Sequence, residues 1–538
     1  MKSFKTDENR IQMKQYLTRI ICIFSLTLMG CQHSPIKFTE SQPPNTPKLT
    51  QLANAPILQP LSSAVTETPS QELTSIKLSD RFTTHQWTVN QRQTDQETTS
   101  VQSLNSINFI GISPNFALES PDVLIEAFSQ RRTQLANLQQ SAELIACYDS
   151  IRFRASLHSI AITMQCSAPS PKMQKVMMNF WLNKSLDNIN LETVQRNLKL
   201  NKHIGAFTGS EVDKVFRQQL LGVDHPYNLN INNQELINEL TKPKQLQQLH
   251  IATRDKLQWH LFTRTFEKSS DSFTENNNDW PLWLMQASTI QAAKIQAPRI
   301  QAPRIQAHTI QGPTIDTHTS NQNLTADNNP VPSTKVAKTI YIIDAPDTVQ
   351  TQVRVGFVTK NKTIGCKTIA PLLGRSYSGR LFYDLREVRG LTYGIYGRCI
   401  DAPLSQYLYF YGSRALENSG AFLQGILDHT QLLTDQKVSQ AEIDSVATYL
   451  IGQRLLSLDT TFGHESDYIR HVLAGKTAEQ AQQQINAIRQ LSPEQLLQLS
   501  IETFSSQPTI VLRGDADKIT QGIQDKLPDW QIKPISAN

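Results

Sequence analysis

The sequence predicts an α+β protein made of two similar halves, each running strands, then helices, then a closing strand. Three observations carry that expectation. The chain has 538 residues, too many for one ordinary core, so two domains with tails is the natural division. Apolar runs of strand length bracket segments of helical period in each half. Between the halves lies a stretch where Ile-Gln-Ala returns every five residues from Ile290 to Ala307, then Ile310-Gln311-Gly312. Pro298, Pro303 and Pro313 recur in it, which blocks a regular helix and favours an extended linker.

Taken in order, residues 1–31 read as a lipoprotein signal peptide. A basic leader (Lys2, Lys5, Arg10, Lys14, Arg19) precedes the apolar run Ile20 to Met29, too short to span a bilayer as a folded helix. The run ends in Leu28-Met29-Gly30-Cys31, which resembles the bacterial lipobox and makes Cys31 the expected lipidation site. An uncleaved anchor with an incidental cysteine is the other reading. Gln32 after the cysteine favours, by analogy, the outer membrane, facing the periplasm. Residues 32–79, rich in Pro, Ser, Thr and Gln, read as a disordered tether. The net charge of +5 is spread thinly, with no basic stripe interleaved with aromatics, so no nucleic-acid partner is expected.

The first half is expected over 80–267. Ile151 to Ala155 alternates apolar with charged residues, and Ser159 to Met164 follows as a buried strand. Asn190 is placed to cap a helix starting at Leu191, and Asn232 to Glu235 has capping-box spacing. Lys256 to Phe262 closes the half as a strand. After the linker, 268–337, the second half is expected over 338–520, opening with strands Thr339 to Ile343 and Val353 to Val358. A helix carrying Leu381, Phe382, Leu385 and Val388 on one face stops at Gly390. Ser439-Gln440-Ala441-Glu442 spells a capping box, Ser492-Pro493 a cap with proline at the first helical position, and Thr509 to Arg513 a last strand. Residues 521–538 read as a C-terminal tail. Cys147, Cys166, Cys366 and Cys399 remain after the leader, without a C-x-x-C pair. An exported compartment permits disulfides, but pairing and free buried thiols both stay open.

One motif identifies a relationship. Arg380 to Tyr396 reads RLFYDLREVRGLTYGIY, which resembles the C-terminal-half signature of the insulinase/pitrilysin family of metallopeptidases, including the mitochondrial processing peptidases. Asp344-Ala345-Pro346, Val511 to Ala516, and Leu221 to Tyr227 with its His225-Pro226-Tyr227 loop fall in the same family order. The resemblance implies two homologous insulinase-like (LuxS/metallopeptidase-like) domains forming a clamshell. Active members bind zinc through an H-x-x-E-H helix and a downstream Glu. Here the helix is best matched by Val123-Leu124-Ile125-Glu126-Ala127, with Val123 and Ala127 where the two His belong and only Glu126 kept. Residues Gln195 to Lys202, where the third ligand should fall, hold no carboxylate. No metal or other cofactor is therefore expected on this chain, because apolar side chains offer a cation no lone pairs.

The resemblance also implies a retained pair, Arg386 and Tyr393, which in active members reaches across the clamshell and can hydrogen-bond a peptide carbonyl or the oxyanion formed on it. Two roles stay open on the sequence: contact with substrate, or packing, with Arg386 paired to a neighbour such as Glu387. Tyr396 and Arg398 read as ordinary strand residues, and His464, Glu465 and His471 lack the company of a metal site. The expectation is a metallopeptidase homologue, inactive alone, that binds peptide substrate beside a zinc-bearing insulinase-family subunit and joins its membrane through the N-terminal lipid. The other expectation is a pseudo-enzyme scaffold or peptide-binding envelope lipoprotein with no proteolytic role.

Overall fold

In the computed structural model the described residues are 71–89, 105–113, 115–136, 150–166, 178–183, 185–186, 188–228, 238–239, 241–265, 280–285, 337–359, 364–458, 460–474, 476 and 478–536. The signal peptide with Cys31, most of the tether, the Ile-Gln-Ala repeat, Cys147 and the capping box at Asn232 lie outside them.

The first half is built on one sheet of β1 (Gln71–Ser79), β2 (Phe82–Val89), β3 (Asn105–Ile112), β4 (Arg152–Ala155), β5 (Ser159–Cys166) and β6 (Gln258–Thr265), in the order β1-β2-β6-β3-β5-β4. The second sheet comprises β7 (Thr339–Asp344), β8 (Gln350–Val358), β9 (Gly394–Ala402), β10 (Ser405–Ala415), β11 (Thr509–Gly514) and β12 (Gln531–Pro534), in the order β12-β7-β11-β8-β10-β9. β2 runs parallel to β6 and β7 parallel to β11, while the three pairs that follow in each sheet are antiparallel. Strands β2-β6-β3-β5-β4 thus repeat as β7-β11-β8-β10-β9, one topology used twice.

Helices cover one face of each sheet. In the first half these include α1 (Pro121–Ala136), α2 (Leu191–Thr208), α3 (Ser210–Leu221), α4 (Pro243–Lys256) and the short α5 (Leu282–Met285). Leu124, Ala127 and Phe128 of α1 meet Phe109, Trp181 and Trp259 in one buried cluster. In the second half they are α6 (Ile364–Gly374), α7 (Arg380–Phe382) running into a π-helical turn at Tyr383–Val388, α8 (Ser419–Asp435), α9 (Gln440–Ser457), α10 (Thr461–Leu473), α11 (Ala478–Arg489), α12 (Pro493–Phe504) and α13 (Ala516–Lys526). The caps read from sequence form as expected. Asn190 accepts from the Thr193 N–H at 2.9 Å, Ser439 and Glu442 make a reciprocal capping box, and Ser492 does the same with Gln495 behind Pro493. Gly390 turns the chain at φ +63°, where a side chain would be strained.

The other face of each sheet is met by a helix of the opposite half. Along β8, Val353, Val355 and Phe357 enter the second core, so the alternate residues Arg354 and Gly356 face α3. Val212, Val215 and Phe216 of α3 pack there against Ile343, Tyr409 and Val511. A Cβ on Gly356 would lie 2.4 Å from Phe216 Cζ, so the close approach requires glycine. Asp213 pairs with Arg354 and Glu211 with Arg513 around this contact. Reciprocally, Glu465 of α10 reaches the first sheet, where Ser106 and Asn108 donate to it and Arg264 lies 3.0 Å away. Tyr468 sits against His85 and Phe262 beside it.

Three boundaries differ from the sequence expectation. β1 falls inside the stretch read as tether, 32–79, yet pairs antiparallel with β2 from Gln71 opposite Val89. Its polar composition hid a strand whose partner, not its own pattern, specifies it. Within the expected linker, 268–337, Leu284 is fully buried and Trp280 stacks edge-on to Phe82 at 5.0 Å, because aromatic side chains in a polar stretch can still complete a nearby core. The expected tail, 521–538, holds the end of α13 with buried Ile523, and β12, which pairs with β7. Cys366 and Cys399 form a disulfide with Cα atoms 5.5 Å apart, tying α6 to β9.

Candidate active site and its replaced ligands

The expected zinc helix is α1. Its first turns carry Val123 and Ala127 into the core, both buried, and leave Glu126 at the edge of a cleft of about 470 Å³. The partners of Glu126 come from α2, one helical turn apart. Asn197 Nδ2 donates to one carboxylate oxygen at 3.0 Å and Asn201 Nδ2 to the other at 2.9 Å. Both turn their amide N–H groups to the carboxylate, so the set satisfies an anion and brings no histidine, thiolate or second carboxylate to it. Among the described residues no group of three or more His, Cys, Asp or Glu could hold a metal ion.

The same cleft holds charges that sequence reading missed. Burial, with Lys202 nearby, pushes the Lys214 ammonium of α3 down to about 8, against the pull of Glu211. Arg217 lines the cleft too and donates to Asn228 at 3.2 Å. The His-Pro-Tyr loop proves structural. Tyr227 OH lies 2.6 Å from His158 Nε2 and accepts the Leu404 N–H at 3.0 Å, bridging the two halves. No local signal marks Asn197, Asn201 or Lys214, since polar residues on a helix read as a solvated face.

The structure does not bring Arg386 and Tyr393 to Glu126 through any contact among the described residues. Arg386 lies in the π-helical turn, 3.4 Å from Glu387 and with its guanidinium 4.8 Å from the Phe382 ring centroid. Tyr393 immediately precedes β9 and is 85% exposed. It stands at a cavity of about 400 Å³ shared with Phe207, Thr208 and Gly209 of the α2–α3 turn, Arg354, and Tyr411. Tyr396, expected as an ordinary strand residue, lines this cavity as well.

Other motif residues serve the fold. Arg380 makes a two-pronged pair with Glu442 at 2.8 and 2.7 Å, joining α7 to the cap of α9. Asp384 is buried, which pushes its carboxyl up, but His429 and Arg389, each bonded at 3.0 Å, hold it below the usual range.

Fold and site together define a two-sheet α+β scaffold in which Val123 and Ala127, the residues matched in sequence to the two histidines of H-x-x-E-H, are buried and apolar. Residues 315–450 match the family model described as the Peptidase M16 inactive domain. No curated protein sequence matches the chain. Among solved structures, the M16 inactive domain from Pseudomonas fluorescens is similar at 14% identity and TM-score 0.55, covering 82% of this chain and 98% of that one. A chain of Complex III2 from Candida albicans is similar at 11% identity and TM-score 0.54, covering 86% and 100%. The periplasmic protease PqqL from Escherichia coli is similar at 10% identity and TM-score 0.50, covering 86% of this chain and 49% of that one. Over residues 315–450 the chain is similar to the Peptidase M16 inactive domain, its fold is similar to that of M16-like structures, and its sequence holds no H-x-x-E-H motif.

Proposed function

We propose that this chain is the non-catalytic, peptide-holding subunit of a two-chain zinc peptidase of the cell envelope, anchored by lipid on Cys31. A separate insulinase-family subunit supplies the zinc and its activated water. The observation that carries this reading is the split state of the site. The end that would hold metal has Val123, Ala127 and two amides around Glu126, while Tyr393 remains exposed at an open cavity. A phenol left in water at a cavity mouth costs nothing in folding and is available to a peptide carbonyl. The likeness to a protein described as a periplasmic protease, and to a chain of a complex, favours an envelope location and a partner.

The test is purification from envelope membranes with the associated proteins. A zinc-bearing homologue should copurify, and in the complex Arg386→Ala and Tyr393→Phe should each lower peptide cleavage by about tenfold or more. Full cleavage by both variants refutes the role given to the pair. Recovery of this chain without any metallopeptidase favours the scaffold reading. Lipidation is checked separately, since Cys31→Ser should abolish incorporation of a labelled fatty acid.

A further inference from the structure

The second half contains a larger cavity, about 940 Å³, apart from the cleft at Glu126. Tyr396, Gly397, Arg398 and Cys399 of β9 form one wall. Successive strand residues point to opposite faces, so a cavity that touches four in a row runs along the strand's edge. β9 ends its sheet, paired only with β10 among the described residues. The facing walls come from α9, α10 and α11.

The charge is one-sided. Among the described residues, Lys367, Arg375, Arg398, Arg454 and Arg470 line the cavity against a single carboxylate, Asp467. Asp467 is taken up by Arg454 at 3.5 Å, Arg470 at 3.3 Å and His471 at 3.1 Å, and Lys367 is paired with Asp401 at 2.8 Å. Arg375 and Arg398 are left with no carboxylate partner among the described residues. Arg398 is exposed, is hydrogen-bonded to the hydroxyls of Tyr409 and Tyr411, and lies with its guanidinium 5.0 Å from the Tyr411 ring centroid. Arg375 is only 4% exposed, bonded through Nε and Nη2 to the hydroxyls of Ser378 and Ser445, both at 2.7 Å. Its Nη1 is buried and has no hydrogen-bond partner. A buried guanidinium N–H without an acceptor is costly, and the group that best removes the cost is an anion. Burial lowers the Arg375 pKa only to about 10, so the charge is present at neutral pH.

We propose that this cavity takes up an acidic peptide, laid as an extended strand along the free edge of β9, its carboxylates met by Arg375 and Arg398. The strand edge supplies main-chain hydrogen bonds irrespective of sequence, and the two arginines without a carboxylate in contact among the described residues supply the preference for acidic side chains. A small inorganic anion could satisfy one arginine but would leave most of the volume unfilled. The inference deepens the peptide-holding role proposed above and rests on it, naming the class of substrate.

The test uses the purified full chain and a fluorescein-labelled peptide of roughly ten residues with glutamate at alternate positions, beside the same peptide with glutamine. In anisotropy titrations the acidic peptide should bind about tenfold or more tightly than the glutamine version, and added salt should weaken it. Arg398→Gln, a change at an exposed position, should erase most of that difference without altering the melting temperature. Millimolar inorganic phosphate should not displace the peptide. Equal binding of the two peptides, or full displacement by phosphate, overturns the inference. The partner-subunit reading fails on different grounds, the absence of a copurifying peptidase, whatever the peptide preference.

Discussion

Glu126 is held by amides rather than by a cluster of metal-ligating side chains. Its carboxylate is kept, but Asn197 and Asn201 fill its acceptor positions, and Val123 and Ala127 turn the neighbouring positions into core. That no H-x-x-E-H motif occurs was legible in the sequence. The amide pair was not, because it is made by side chains that meet only when α1 and α2 pack. Lys214 in the same cleft gives a pH test. Its folded pKa, about 8, lies below the usual lysine value near 10.5, so the penalty for burying its charge is fully present below pH 8. That penalty fades as pH rises from 8 to 10.5, and stability gains over this window. Lys214→Met should therefore be the more stable protein at pH 7.5, with the gap to the parent closing by pH 10 in denaturant titrations. The Arg380–Glu442 pair makes the opposite kind of prediction. Arg380→Met strands a largely buried carboxylate and should cost about 3 kcal/mol in chemical denaturation, while leaving peptide binding intact in the survivors.

Single elements repeat the lesson. The caps at Asn190, Ser439 and Ser492 were readable because capping is local, decided by residues three apart. β1 and β12 were not, since each is a strand only by virtue of its partner, and their sequences lack a clear period. Nor could sequence tell that α3 and α10 cross to the other half's sheet. Glu465, which the sequence showed only to lack the company of a metal site, is 3% exposed between Ser106, Asn108 and Arg264. At the α3 contact, Phe216→Ala should destabilise by about 3 kcal/mol, through lost burial and the cavity left against Gly356. At the α10 contact, burial with His260 alongside brings His85 down to about 4. A neutral histidine held below its usual value near 6.5 contributes stability that is whole above pH 6.5 and lost as pH falls towards 4. His85→Phe should blunt the fall in melting temperature between pH 6.5 and 4.5. An unchanged acid sensitivity would count against the buried-histidine account of this contact.

For the whole molecule, the double use of one strand order, with a disulfide in the second copy only among the described residues, explains why the second half was the easier to read. Its signature from Arg380 to Tyr396 is a connected structural unit, with Arg380, Asp384 and Arg389 all bonded and Leu381 and Leu385 in the core. The 33-residue span closed by Cys366 and Cys399 should add about 3–4 kcal/mol by restricting the unfolded chain, so the double Cys→Ser variant should unfold at lower denaturant. The α+β class was legible because strand and helix periods alternate along the chain. The way the halves interlock was not, because it depends on pairs hundreds of residues apart, such as Arg513 with Glu211. The most direct test of the account is metal analysis paired with a cleavage assay, on the purified chain alone and on the complex recovered from membranes. The account predicts no stoichiometric zinc and no peptide hydrolysis for the isolated chain, with both appearing when the partner is present. One tightly held zinc per isolated chain, together with hydrolysis, would contradict it.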